Sequence, residues 1–216
     1  MKRFTLILAI SFAFLGVFSQ KYYKQQFTLF NYNCVVDPII ITNMASLESS
    51  MLCPAPEGYS KTHVLFVQSI FAVVKSKLEA KYGVYILPVN SYQNKVSYDA
   101  FGFPNILINT AIKKGTTKYY FKISAYVSSS SRLGPQNTSE LWPVIKISID
   151  LYNKDGYQPI KSVEATSEAV GVMKKVPGIL YDLECANIPD SQKLANDSEA
   201  LKILIMDAVE NAIKKL

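Results

Sequence analysis

The chain has 216 residues, 49% of them hydrophobic and 19% charged, with a formal net charge of +6 at pH 7. That length and apolar content fit one domain with a core of its own and exclude a disordered chain. The lysines are scattered, with short pairs at Lys113-Lys114, Lys174-Lys175 and Lys214-Lys215; a nucleic-acid binder would show a basic stripe with a recognisable motif, and no nucleic-acid partner is expected.

The chain opens MKRFTLILAISFAFLGVFSQ, with Lys2 and Arg3 ahead of an apolar run from Phe4 to Phe18 and small residues near its end. This is the layout of a secretory signal, expected to span 1–19 with cleavage before Gln20, leaving 20–216 as a single domain. The run is short for a membrane span, which needs roughly 20 apolar residues. No cysteine stands where lipid attachment would need one, so a soluble periplasmic or secreted product is expected. Removing Lys2 and Arg3 lowers the formal charge from +6 to +4. In an oxidising compartment Cys34, Cys53 and Cys185 allow one bridge and a leftover thiol; Cys34 with Cys53 is the nearest pair, and three buried unpaired cysteines are the alternative.

In FTLFNYNCVVDPIIITNM the β-branched run Ile39-Ile40-Ile41 predicts a strand over about 39–43, with an earlier one left open. SLESSMLCPAPEGYS is loop chemistry. A helix follows, capped by Ser60 and stopped by Gly83, with Val67, Ile70, Phe71, Val74 and Leu78 on its main stripe. Val64, Leu65, Phe66 and Val73 lie off that stripe, so this helix needs cover on more than one side. VYILPV, from Val84 to Val89, is short and continuously apolar, as a central strand would be. A second helix opens at Pro104 or Asn105, turns Ile108, Ala111 and Ile112 inward, and ends at Gly115.

KYYFKISAYV alternates: Tyr119, Phe121, Ile123, Ala125 and Val127 share one face, and Tyr120, Lys122, Ser124 and Tyr126 the other. PVIKISIDLY repeats the pattern with Ile145, Ile147, Ile149 and Leu151 against Lys146, Ser148, Asp150 and Tyr152. Between them VSSSSRLGPQNTSELW reads as a long hairpin loop ending in the single tryptophan. Asp155-Gly156 then turns the chain into a third strand, IKSVEATSEA. The stretch 171–194 is rich in breakers and is left unassigned. A closing helix opens at Asp197 or Ser198, with Leu201, Leu204, Ile205, Ala208, Ala212 and Leu216 as its stripe and lysines in its last turn, where the macrodipole favours them. The sum is an α/β two-layer domain: a mixed sheet containing an antiparallel three-strand meander, with helices mainly on one face.

This element order, with the hairpin IKISIDLYNKDGYQPIKSVEA and the closing amphipathic helix, resembles the small periplasmic α/β domain at the front of TolB, shared in outline with the CsgG and LpoB envelope proteins. The resemblance covers about 35–216 and has no diagnostic motif. It implies an accessory domain that binds other envelope proteins or lies inside an assembly. The chain departs from those relatives in lacking the TolB propeller and the lipid-bearing cysteine, and no functional residue carries across.

The chemistry screen is sparse. His63 is the single histidine, with no second metal ligand at helical or short-loop spacing, and reads as a surface or capping residue. No G-x-S-x-G surrounds the serines, although a Ser-Lys dyad stays open. Asp150, Asn153, Asp155 and Gly156 miss the calcium-loop spacing. Asp182 and Glu184 have no sugar-stacking aromatics beside them, and no glycine loop cradles a phosphate. No cofactor, metal or catalytic residue is assigned. Asn137-Thr-Ser and Asn196-Asp-Ser match the glycosylation pattern.

What remains is recognition by surface. Tyr120, Lys122, Tyr126, Lys146 and Tyr152 share the outer sheet face, with Arg132 and Trp142 at its loop end; these residue types dominate interface hot spots, while a merely solvated sheet is the plainer reading. The expectation is a non-enzymatic exported protein that binds an envelope or secreted partner by this face, by its broad apolar helices, or both. The alternative is a small-ligand binder or hydrolase with a pocket between the central strand ends and the 128–141 loop, which a deep pocket gathering His63 with a serine or acid would favour. The wide apolar arcs of the first and last helices also fit a homodimer.

Overall fold

A computed structural model describes residues 21–38, 40, 61–93, 95–133, 139–168 and 191–216. Its elements are β1 (Gln26–Val36), α1 (Lys61–Tyr82), β2 (Tyr85–Ile86), α2 (Ile108–Lys114), β3 (Tyr119–Leu133), β4 (Ser139–Asn153), β5 (Lys161–Glu168) and α3 (Ser191–Lys215). They build a five-stranded sheet in the order β2-β1-β3-β4-β5. β1 is parallel to both β2 and β3, and β3, β4 and β5 form an antiparallel meander. This is the expected α/β mixed sheet.

The alternation in β3 and β4 does what its period of two requires. Phe121, Ile123, Ala125 and Val127 face inward beside Ile145, Ile147, Ile149 and Leu151, all buried. α1 covers this layer with Val67, Ile70 and Val74, and α3 with Leu204, Ile205, Ala208, Val209 and Ala212. Each large aliphatic side chain so buried stabilises by about 1.5–3 kcal/mol. Polar ties fix α3 along the sheet: Ser167 Oγ donates to Asp207 Oδ2 at 2.8 Å, and Lys215 Nζ donates to the Glu164 carbonyl at 2.7 Å. Lys77 of α1 and Glu210 of α3 form an ion pair between the helices.

Several expectations are corrected. The earlier strand that the sequence left open lies at Gln26–Val36; of the strand expected over 39–43 only Ile40 is among the described residues, and it and Pro38 have helical backbone, where proline suits a first turn. β1 escaped its pattern because of a bulge between Leu29 and Asn31. Phe27 and Leu29 face the core, the extra residue Phe30 breaks the alternation, and Tyr32 and Val36 take over the inner face. VYILPV is not a central strand: only Tyr85–Ile86 pairs, at the sheet edge. Pro88 has no N–H to extend a ladder, and its carbonyl instead accepts the Ser91 N–H at 2.9 Å in a turn. The closing helix starts at Ser191, earlier than expected, and α2 starts at Ile108, later than expected.

The serine stretch is mostly strand. β3 and β4 pair without interruption from Tyr119↔Asn153 to Leu133↔Ser139, so the expected loop shrinks to 134–138, which with Asn137 lies outside the described residues. The β1 ladder ends at Val127 and the β5 ladder at Val144, so the tip of this hairpin runs past both of them. The signal segment 1–19, Ser60, Cys53, Cys185, Asp182 and Glu184 also lie outside the described residues, as does any Cys34–Cys53 pairing.

The segment between β2 and α2 straps the β1 edge. Asp99 Oδ1 accepts the N–H groups of Phe101 and Phe103 at 2.9 Å each, which drives Phe103 against Tyr32 and Phe71. Burial raises the Asp99 carboxyl above its ordinary range, and its backbone hydrogen bonds oppose that shift. Asn105 then bridges to Asn31 of β1.

Gly83 closes α1 in the left-handed region at φ 60°, and a Cβ there would stand 2.6 Å from Tyr23 Cδ2. Gly83→Ala is therefore expected to cost at least about 1 kcal/mol, read as a lowered urea midpoint with an unchanged m-value.

Candidate functional site

The outer face of the sheet is two surfaces. Over its lower half α2 and the preceding segment bury Phe30, Tyr92, Ala111 and Tyr120, with Ile108, Ile112 and Tyr152 packed against them. The expectation that this face is open therefore fails at Tyr120, which is 1% exposed. The Tyr152 ring stands edge-on to Phe30 at 5.2 Å. Burial raises the hydroxyl pKa of both tyrosines, and Asp150 adds to the shift at Tyr152. At the foot of the cluster Thr28 Oγ1 and Thr117 Oγ1 share a 2.8 Å hydrogen bond.

The upper half is different. The register sets Asn31, Lys122, Asp150 and Ser162 in one row across the four strands, then Asn33, Ser124, Ser148 and Glu164, then Val35, Tyr126, Lys146 and Thr166. Small serines sit at the centre of this patch, with longer side chains around them. Lys146 Nζ reaches diagonally to Glu164 Oε2 at 2.9 Å. Tyr126 and Val35, neighbours in the register, are 39% and 49% exposed. The result is an amphipathic rim beside a hydroxyl floor, suited to hydrogen bonding and aromatic contact.

Of the expected binding residues, the structure brings Lys122, Tyr126 and Lys146 together on this open patch and moves Tyr120 and Tyr152 under or beside α2. Arg132 and Trp142 sit in the projecting part of the hairpin, opposite Glu140 and Ser130 in the ladder. Glu164 was not among the expected residues, though the alternation of β5 puts it on this face. Val35 was hidden by the β1 bulge, which reverses the facing of everything after it.

His63 is not a surface residue. It is 7% exposed and stands edge-on to Phe101 at 5.2 Å, because the strap covers the start of α1. Tyr32 Oη donates to the Val67 carbonyl at 2.9 Å. The Cys34 thiol is half-buried and pushed up to about 11, chiefly by burial, so it is protonated at neutral pH and a poor nucleophile.

A cavity of about 20 Å³ at the lower end of the core is lined by Tyr22, Phe27, Leu78, Tyr82, Val84, Ile86, Phe121, Ile149, Leu151 and Leu216. Two shallow depressions lie beside α2 and between α1 and α3. None of the three includes His63. Among the described residues no group of three His, Cys, Asp or Glu side chains is placed to hold a metal, and no helix is long and apolar enough to cross a membrane.

No protein family matches the chain, and no curated protein matches it. Among solved structures it is similar to the PelC dodecamer from Paraburkholderia phytofirmans, at 10% identity and a TM-score of 0.36, over 89% of this chain and 89% of that one. It is similar to protein XCC0632 from Xanthomonas campestris, at 13% identity and a TM-score of 0.38, over 88% of this chain and 85% of that one. It is also similar to lipoprotein GNA1162 from Neisseria meningitidis, at 10% identity and a TM-score of 0.35, over 85% of this chain and 99% of that one. With TM-scores under 0.5, these likenesses assign neither family nor function.

Tyr120 and Tyr126 share one strand face and differ only in cover. Tyr120→Ala is expected to cost about 3–5 kcal/mol and Tyr126→Ala no more than about 0.5 kcal/mol, measured side by side by chemical denaturation.

Proposed function

We propose that this chain is an exported, non-enzymatic accessory protein of the cell envelope or the secreted fraction, and that it works by binding another protein through the open upper half of its outer sheet face. The observation that carries this reading is the partial cover of that face. α2 seals the lower half and Asn105 reaches Asn31 at its border, while the rows from Asn33 to Thr166 stay uncovered among the described residues, with Tyr126, Val35 and Lys146 at the surface. A tyrosine, a lysine and an aliphatic side chain around small hydroxyls are what a polar interface uses to gain contact area at little entropic cost.

Export rests on the charged, apolar and small-residue order of the first nineteen positions, read as a leader ahead of a single domain from 20 to 216. The envelope setting rests on that leader and on the resemblance in element order to the TolB-front and LpoB-like domains. The hydrolase alternative has less to stand on. A pocket gathering His63 with a serine or acid would have favoured it, and His63 is packed against Phe101 under the strap.

Two outcomes are expected. The mass of the protein recovered from its native source begins at Gln20; a chain retaining Met1 to Ser19 would remove the export reading. In a cross-linking pull-down from native extract, the wild-type chain captures a protein that the Tyr126→Ala/Lys146→Glu double variant loses by at least roughly tenfold, with thermal stability unchanged. An identical capture pattern from both would sink the sheet-face assignment, and light scattering of the captured species separates a second copy of this chain from a different protein.

A further inference from the structure

The lower end of the molecule, opposite the projecting hairpin, concentrates positive charge. β1, β2, β3 and β5 all start there, β4 ends there, and α1, α2 and α3 point their C-termini at it. The segments that form this end, 21–25, 82–84, 115–118, 154–160 and 214–216, carry six lysines against one acid, Asp155. Lysines in the last turns of α1, α2 and α3 complement the helix dipoles. That does not account for Lys21, Lys24, Lys118, Lys154 and Lys161, which sit on no helix and are all exposed.

None of these five is ion-paired among the described residues, unlike Lys75, Lys77 and Lys146, which pair with Glu79, Glu210 and Glu164. The amines are close enough to be felt. Lys81 is held below the ordinary lysine range, first by burial and then by the positive charges of Lys161 and Lys214. Tyrosines are interleaved with the lysines: Lys21, Lys81 and Lys118 each stand 5.0–5.5 Å from the ring centroid of the tyrosine that follows, and Lys24 stands 5.3 Å from that of Tyr23 before it. Tyr23 and Tyr85 are 55% and 53% exposed at the rim, and Ile160 is 42% exposed in the β4–β5 turn.

We propose that this lysine- and tyrosine-rich end docks on an anionic lipid surface. Three observations favour a membrane over another polyanion. Exposed amphipathic rings among lysines are the residues that settle at a headgroup layer. An aliphatic side chain, Ile160, stands beside the charges, where a purely ionic ligand would gain nothing from it. The described fold begins at Lys21, on this same end, and the apolar run from Phe4 to Phe18 precedes it in sequence, so during export, before that run is removed, the basic end is the part of the fold nearest the bilayer that takes it. The open sheet patch lies on the half of the sheet farther from this end, free for a protein partner. This inference does not depend on that partner.

The test uses the full chain with vesicles of phosphatidylcholine alone and of phosphatidylcholine with about a third phosphatidylglycerol. The readout is the ratio of binding to the two compositions, which removes any contribution the apolar run makes to both. Wild type is expected to favour the anionic vesicles strongly. Lys21→Gln/Lys118→Gln/Lys161→Gln is expected to lose roughly a hundredfold of that preference, since each lysine near such a surface contributes about a factor of five. Lys122→Gln/Lys146→Gln, on the sheet face, should leave it unchanged, and circular dichroism checks that both variants fold. Equal binding to both compositions overturns the proposal, as does a triple variant that behaves like wild type. Displacement from anionic vesicles by equimolar double-stranded DNA, with tighter binding to the DNA, would overturn it in favour of a nucleic-acid surface.

Discussion

The uninterrupted β3–β4 ladder is the constraint on which everything else depends. Its two strands put Phe121, Ile123, Ala125 and Val127 beside Ile145, Ile147, Ile149 and Leu151 on one face. A slip of one residue would turn all of them to the solvent. Once that apolar layer exists it has to be covered, and among the described residues the long amphipathic pieces are α1 and α3. β1 and β5 are then placed on either side by hydrogen bonding, and the short β2 closes the parallel edge.

The β1 bulge modifies this frame and divides the other face. By adding Phe30 out of phase, the strand keeps an inner row of Phe27, Leu29, Tyr32 and Val36 and still presents one aromatic ring to the outside. That ring, with Tyr120 and Tyr152, gives α2 something apolar to sit on. Above the bulge the outward residues are Asn31, Asn33 and Val35, beside serines and charges on β3 and β4. Nothing there would support a second helix. The boundary between sealed and open surface therefore follows from one inserted residue.

The same topology sorts charge. A parallel β1–β2 unit with its crossover helix, followed by a meander and a final helix, sends the C-termini of α1, α2 and α3 to the end where most strands begin. Lysines that complement the dipoles are thus collected at one end and joined by those of the chain entry and turns. The open sheet patch and the basic end are separate surfaces with different chemistry, one mostly hydroxyl and amphipathic, the other cationic and aromatic.

The sequence by itself determined the element order, the inner rows of β3 and β4, the stripes of α1 and α3 and the glycine stops at Gly83 and Gly115, because each is written in a local period or a local backbone demand. Glu164 was legible by the same rule. Only the tertiary structure decided the rest. Strand pairing turned a run of serines into ladder, since a partner strand can satisfy backbone groups whatever the side chains prefer. The bulge hid β1 and Val35, because alternation cannot be read across an inserted residue. Cover by α2 and the strap buried Tyr120 and His63, and cover is set by which segments meet in space, which no local pattern records.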